Sequence, residues 1–156
     1  MIIEKIYYLT KEGLEKIKAE YENLRRLRFG KTDGESPKIL HSEDLDPEYL
    51  SFQEDLSFLE TKISETETIL KNAVLIKLPS KDKQNIVDLG AKVIVDIDGQ
   101  ADEFQIVGTL EANPALGRIS NESPVGRALL GHRAGEAVMV NSPIQTVYQI
   151  KKIKYA

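Results

Sequence analysis

The chain has 156 residues, 41% hydrophobic and 29% charged, with a formal net charge of −4 and no cysteine. That length suits one ordinary domain or two small ones, the charge argues against a general nucleic-acid binder, and the missing thiols exclude disulfides and thiolate metal sites. No apolar run approaches the roughly 20 residues of a membrane span, and Met1-Ile2-Ile3-Glu4-Lys5 lacks the basic start and long apolar core of a signal peptide, which fits a cytoplasmic protein.

The first predicted element is a helix capped by Thr10, with Glu12 and Glu15 in its opening turns. Leu14, Ile17, Tyr21 and Leu24 follow a 3-4-3 spacing, a narrow apolar seam, and Arg25, Arg26 and Arg28 close the segment. Gly30-Lys31-Thr32-Asp33-Gly34-Glu35-Ser36-Pro37 then predicts an end to the helix, because two glycines and a proline oppose its continuation. The acidic cluster Glu43-Asp44-Leu45-Asp46-Pro47-Glu48 follows. Asp46 is a good N-cap and Pro47 fits the first position of a second helix. Tyr49, Phe52, Leu56, Leu59, Ile63, Thr66, Leu70 and Ala73 repeat at heptad spacing, with acids and lysines opposite. Two matching seams predict an antiparallel coiled-coil hairpin over residues 1–77 with an acidic tip at about 30–48. Its helices are expected to be unequal, about 20 and about 26 residues, or roughly 30 and 39 Å.

Residues 78–85 read as a polar linker, and residues 86–156 as a second domain of short strands. Ala91–Ile97 alternates and ends at Asp98-Gly99, a strong hairpin-turn signal, with Asp102–Val107 as its partner. Gly117–Ser120, Ala137–Val140 and Val147–Ile153 are further expected strands. Ser123 through Gly131 reads as one short helix with a serine cap, a proline at the first position and a glycine after the last. The expected class is therefore α+β: a helical hairpin followed by a small antiparallel-sheet domain with one short helix.

The acidic cluster has two readings. One is a solvated turn whose carboxylates cap a helix. The other is that Asp44 and Asp46, with Glu48 third, ligate a hard cation such as Mg²⁺ in a site shared with a partner, because a hairpin tip cannot fill an octahedral shell. Arg25, Arg26 and Arg28 are either a solvated helix end or a contact for nucleic-acid phosphate. His41 and His132 have no cysteine or histidine partner nearby, and neither reads as a metal ligand. There is no Ser-His-Asp arrangement, phosphate loop or dinucleotide fingerprint, so no self-contained active site is expected.

Ser123-Pro124-Val125-Gly126-Arg127-Ala128-Leu129-Leu130-Gly131 closely resembles the C-terminal motif of the bacterial Gre factors, GreA and GreB. Leu9-Thr10-Lys11-Glu12-Gly13, Asn72-Ala73-Val74 and Val87-Asp88-Leu89-Gly90-Ala91-Lys92-Val93 resemble the family in the same order and spacing. The resemblance implies a C-terminal domain of FKBP-like topology that binds bacterial RNA polymerase, with Ser123, Pro124, Gly126 and Arg127 shaping the docking surface. It also implies a monomer whose coiled coil enters the polymerase secondary channel. There the tip carboxylates, here Asp44, Asp46 and Glu48, help hold the second catalytic Mg²⁺ near the nascent RNA 3′ end. The polymerase itself then hydrolyses backtracked RNA, so the factor is not an enzyme. The family tip usually reads Asp-Leu-x-Glu-Asn-Ala-Glu-Tyr, whereas Asp44-Leu45 and Glu48-Tyr49 here enclose two residues fewer. Some Gre homologues with other acidic tips occupy the same channel and inhibit transcription. A peptidyl-prolyl isomerase is a reading of a different class, but residues 86–156 offer only Phe104, Tyr148 and Tyr155 for an aromatic pocket. A plain coiled-coil adaptor is another.

Overall fold

A computed structural model describes residues 5–33, 47–141 and 143–155. It divides into two compact units: Leu14–Asn72, and a second that joins the stretch ending at Gly13 to everything described from Ala73 onward. The chain changes unit at Gly13 and Ala73, where the sequence placed the border between 77 and 86. The cause is a short strand, β1 (Tyr7–Leu9), that pairs in parallel with β2 (Ala73–Leu75), Tyr7 opposite Ala73. Leu9 is fully buried by this arrangement. Ala73 and Val74 therefore belong to a strand, not to the end of the second helix as their heptad position suggested.

The helices are α1 (Lys11–Asp33) and α2 (Pro47–Lys71). Thr10 caps α1 as expected, its Oγ1 accepting from the Gly13 amide at 3.1 Å. In the Leu14–Asn72 unit the expected seams face inward. Leu14, Ile17, Tyr21 and Leu24 are half-buried, and Leu59, Ile63 and Thr66 are buried. The Thr66 hydroxyl, a polar group in an apolar seam, donates to the Lys62 carbonyl at 2.7 Å and so remains satisfied. Tyr21 reaches Glu67, and Lys31, ten residues on, reaches Asp55, twelve residues back. Rising numbers on one helix meet falling numbers on the other, so the pair is antiparallel.

Gly30 does not end α1, which continues to Asp33. The cost of an interior glycine is only about 1 kcal/mol. The last turn has compensating contacts: Lys31 Nζ lies 3.2 Å from Asp55 Oδ2 and over the Phe52 ring, and Thr32 Oγ1 donates to the Arg28 carbonyl at 3.0 Å. The helices are accordingly near-equal, 23 and 25 residues, rather than unequal. Pro47 opens α2 as expected. The rest of the predicted interruption, Gly34–Pro37, and the proposed cap Asp46 lie outside the described residues.

The second unit is built on a five-stranded sheet in the order β5-β4-β3-β7-β6, formed by β3 (Lys92–Ile97), β4 (Gln100–Val107), β5 (Arg118–Ser120), β6 (Ala137–Asn141) and β7 (Gln145–Lys154). Period-2 alternation buries Val93 and Val95 of β3, Val138 and Val140 of β6, and Ile150 of β7. The Asp98-Gly99 turn joins β3 to β4 with φ of 52° and 84°, the left-handed pair that such a two-residue turn needs. Asp96 Oδ1 accepts from the Gly99 amide at 2.9 Å and closes it. All pairings are antiparallel except β4 with β5, which is parallel. Helix α3 (Pro124–Leu129) follows β5 directly and packs its fully buried Leu129 into the core. The expected linker 78–85 contains one 3₁₀ turn, Lys81–Lys83. No helix among the described residues is long and apolar enough to cross a membrane.

One further contact, between Thr10 and Glu111, lies within the second unit. Glu111, in a 3₁₀ turn over Thr109–Glu111, accepts from the Thr10 amide at 2.7 Å and the Thr10 hydroxyl at 2.6 Å. Hydrogen bonds to a charged group contribute about 1.5–3 kcal/mol each before solvent exposure is discounted. Glu111→Ala is therefore expected to lower stability by about 1–2 kcal/mol, read as a shift in the urea midpoint. Glu111→Gln should lose less, because one acceptor oxygen survives.

Candidate functional site

In the sequence, the end of α1 at Asp33 and the start of α2 at Pro47 flank the acidic segment. Glu48 lies exposed in the first turn of α2, where the helix dipole favours negative charge. Tyr49 in the same turn accepts from Gln53 Nε2 at 2.9 Å. Asp44 and Asp46, the two residues predicted to face a metal, lie outside the described residues. Among the described residues, no group of three or more His, Asp or Glu side chains is placed to hold a metal ion.

Behind this end, Arg25, Arg26 and Arg28 line a groove of about 350 Å³ with Glu22, Phe29 and Thr32. The structure thus brings the three predicted arginines together. Arg25 is engaged on both sides: Nη1 lies 3.8 Å from Glu22 Oε1, and the guanidinium covers the Tyr21 ring. Arg25 and Arg26 are exposed and Arg28 is half-buried. Phe29, which the sequence reading passed over, is 66% exposed in this groove. Its only sequence signal was an aromatic outside the heptad seam, directly after an arginine.

Tyr21 donates from its hydroxyl to Glu67 Oε1 at 2.8 Å. That hydrogen bond, together with desolvation and the Glu67 charge, raises its pKa above the ordinary 10.0. A raised pKa means the bond stabilises fully below pH 10 and is lost as pH climbs through the folded value. The wild-type hairpin is expected to lose helical circular dichroism above pH 10 at a lower pH than it would if Tyr21 kept its proton. Tyr21→Phe, which has no proton to lose, should shift that loss upward.

In the other unit the predicted docking motif divides by role. Ser123 Oγ accepts from the Gly126 amide at 3.0 Å and donates to the Ser120 carbonyl at 2.7 Å. Gly126 is buried, with space for a Cβ only 2.0 Å from the Ser120 oxygen. Ser123 and Gly126 therefore hold α3 against β5, whereas Pro124 and Arg127 are exposed. Beside them a groove of about 330 Å³ runs between Pro79, Lys83, Ile86, Val87, Asp88, Leu130 and Gly131. Each of the three aromatics of this region has a partner within the unit. Phe104 stacks on Tyr148 at 6.3 Å against the core, and the Tyr155 hydroxyl accepts from the Asp88 amide at 2.9 Å. His132 pairs with Glu136 at 2.6 Å, and that bond lowers the Glu136 pKa.

Comparison with known proteins places these features in a wider set. The family described as "Transcription elongation factor, GreA/GreB, C-term" matches residues 81–155. A protein of Thermomicrobium roseum named transcription elongation factor GreA is 41% identical over 141 residues, covering 89% of this chain and 90% of its own. One of the same name from Halalkalibacterium halodurans is 41% identical over 148 residues, covering 92% of each. Among solved structures, GreA factor homolog 1 of Thermus thermophilus aligns over 96% of this chain and 99% of its own at 27% identity, with a TM-score of 0.42.

Proposed function

The chain belongs to the GreA/GreB family of transcription elongation factors, and we propose that it binds bacterial RNA polymerase and inserts its acidic segment into the secondary channel. The observation that carries this reading is the extent of the similarity: 41% identity to a protein named elongation factor GreA, across 89% of this chain and 90% of that one. On this reading Asp44 and Asp46, with Glu48 beside them, help hold a Mg²⁺ ion at the polymerase active site. Carboxylate oxygens are the right donors for that hard cation. When bound, such a pair of ions activates water and stabilises the leaving oxygen of a phosphodiester. The chain's own part is to supply and orient carboxylates, so it acts as a cofactor of the polymerase's hydrolysis. It works as a monomer in the cytoplasm. Arg25, Arg26 and Arg28 contact phosphates of the extruded RNA, and Pro124 and Arg127 face the polymerase on a surface held by Ser123 and Gly126.

One observation favours a second reading. The segment between Asp44-Leu45 and Glu48-Tyr49 is two residues shorter than the usual family tip. A factor with that departure could occupy the channel and inhibit transcription without stimulating cleavage. Purified polymerase stalled in a backtracked complex distinguishes the two when this protein and Mg²⁺ are added and the RNA is followed on a gel. Shortened RNA that resumes extension supports the cleavage factor. Unshortened RNA with slower extension supports the inhibitor. Absence of binding to polymerase sinks both.

A further inference from the structure

Building on the reading that extruded RNA passes the hairpin, we infer that Phe29 is a base-stacking platform for that single strand, working beside the Arg26 and Arg28 guanidinium groups. The Leu14–Asn72 unit has five described aromatic side chains, and four already have partners. Arg25 covers Tyr21, Lys31 covers Phe52, Lys62 covers Phe58, and Tyr49 is bonded to Gln53. Among the described residues, only the Phe29 ring of this unit lacks a cation or a polar partner, and it is 66% exposed. A single exposed apolar side chain is unremarkable on its own. The surroundings make it informative. Arg25 and Arg26 precede it by four and three residues, which sets all three on one helical face. Arg25 is committed to Glu22 and Tyr21, but Arg26 and Arg28 have no carboxylate partner among the described residues.

A ring and two guanidiniums without partners among the described residues match the repeating chemistry of a single strand, a π-face and then a phosphate. The same composition also occurs at protein interfaces. A protein partner would want apolar neighbours around the ring, however, and those lining this groove are Glu22, Arg25, Arg26, Arg28 and Thr32. Stacking reads no base edges, so the platform accepts any base.

The test uses the full chain on backtracked polymerase whose RNA ends in photoreactive 4-thiouridine. Phe29→Ala and Phe29→Leu should raise the factor concentration for half-maximal shortening about tenfold, equivalent to about 1.4 kcal/mol. The maximal rate should stay unchanged, and cross-linking of RNA to the factor should fall in parallel. Phe29→Trp, which keeps a π-face, should restore both. Binding to polymerase free of RNA should be equal for all four proteins. Should the wild type cross-link in a Phe29-dependent way without shortening RNA, the cleavage reading fails and the stacking site stands. Unchanged cross-linking and half-maximal concentration in Phe29→Ala overturn the proposal. So does weaker binding of that variant to RNA-free polymerase, which would mark a protein contact, and so does a wild type that does not cross-link.

Discussion

Gly126→Ala is expected to destabilise the sheet unit by about 3 kcal/mol, the upper part of the usual overpacking range, and to weaken polymerase binding as the folded fraction falls. Alanine at a helix position ordinarily gains about 1 kcal/mol over glycine. Here the added methyl would sit 2.0 Å from the Ser120 carbonyl oxygen and 3.0 Å from its carbon. Both are backbone atoms, so no side chain can swing aside. Either β5 moves or α3 lifts, and α3 carries the fully buried Leu129. At about 4–8 °C per kcal/mol for a unit of this size, the thermal midpoint should fall by roughly 12 °C or more. Gly30→Ala is the matched control. Its new methyl would meet nothing within 4 Å, on an exposed face of α1, so it should stabilise by up to about 1 kcal/mol. Arg127→Ala completes the set. Its side chain is exposed, so the midpoint should hold while polymerase affinity drops. A midpoint for Gly126→Ala within 2 °C of wild type would refute the packing argument, on the same scale.

The second large effect concerns the acids. Asp44→Asn and Asp46→Asn are each expected to cut RNA shortening by at least the 10–100-fold that loss of an outer-shell metal partner costs. Polymerase binding should stay intact, because each change keeps shape and removes only charge. Asp46→Glu should retain shortening, since the longer side chain matches the family's tip glutamate. Raising Mg²⁺ should partly rescue either asparagine variant by mass action. Full shortening by the double variant would remove the carboxylates from the mechanism and leave a scaffold that acts by occupying space.

The sequence made legible whatever carries periodicity or turn chemistry. The heptad positions Leu59, Ile63 and Thr66 are the buried ones on α2. Asp98-Gly99 makes its left-handed turn, and Ser123 makes its cap. Two kinds of element escaped. Strands of three residues, such as Tyr7–Leu9 and Ala73–Leu75, are too short to show alternation, and their pairing depends on a chain returning from far away. Gly30 misled because helix propensity is a weak prior, overridden by Lys31 bridging to Asp55 and Phe52. The Ser123–Gly131 motif was read as a unit, but only packing separates Ser123 and Gly126, which build the turn, from Pro124 and Arg127, which are exposed. Phe29 carried only the weak signal of an aromatic outside the heptad seam. Its interest comes from the partners it lacks, and those are visible only in three dimensions.

The parallel pairing of β1 with β2 sets an order of events during synthesis. Ala73 is translated 66 positions after its partner Tyr7. At about 5–20 residues per second, β1 waits roughly 3–13 s for β2 to be made. Leu9, fully buried in the finished protein, spends that interval without its shelter. Formation of the helical pair in between brings the two strands together and shortens the search. Strand β1 is thus secured long after it is made, and conditions that slow closure of the hairpin lengthen its exposure to proteases and to self-association.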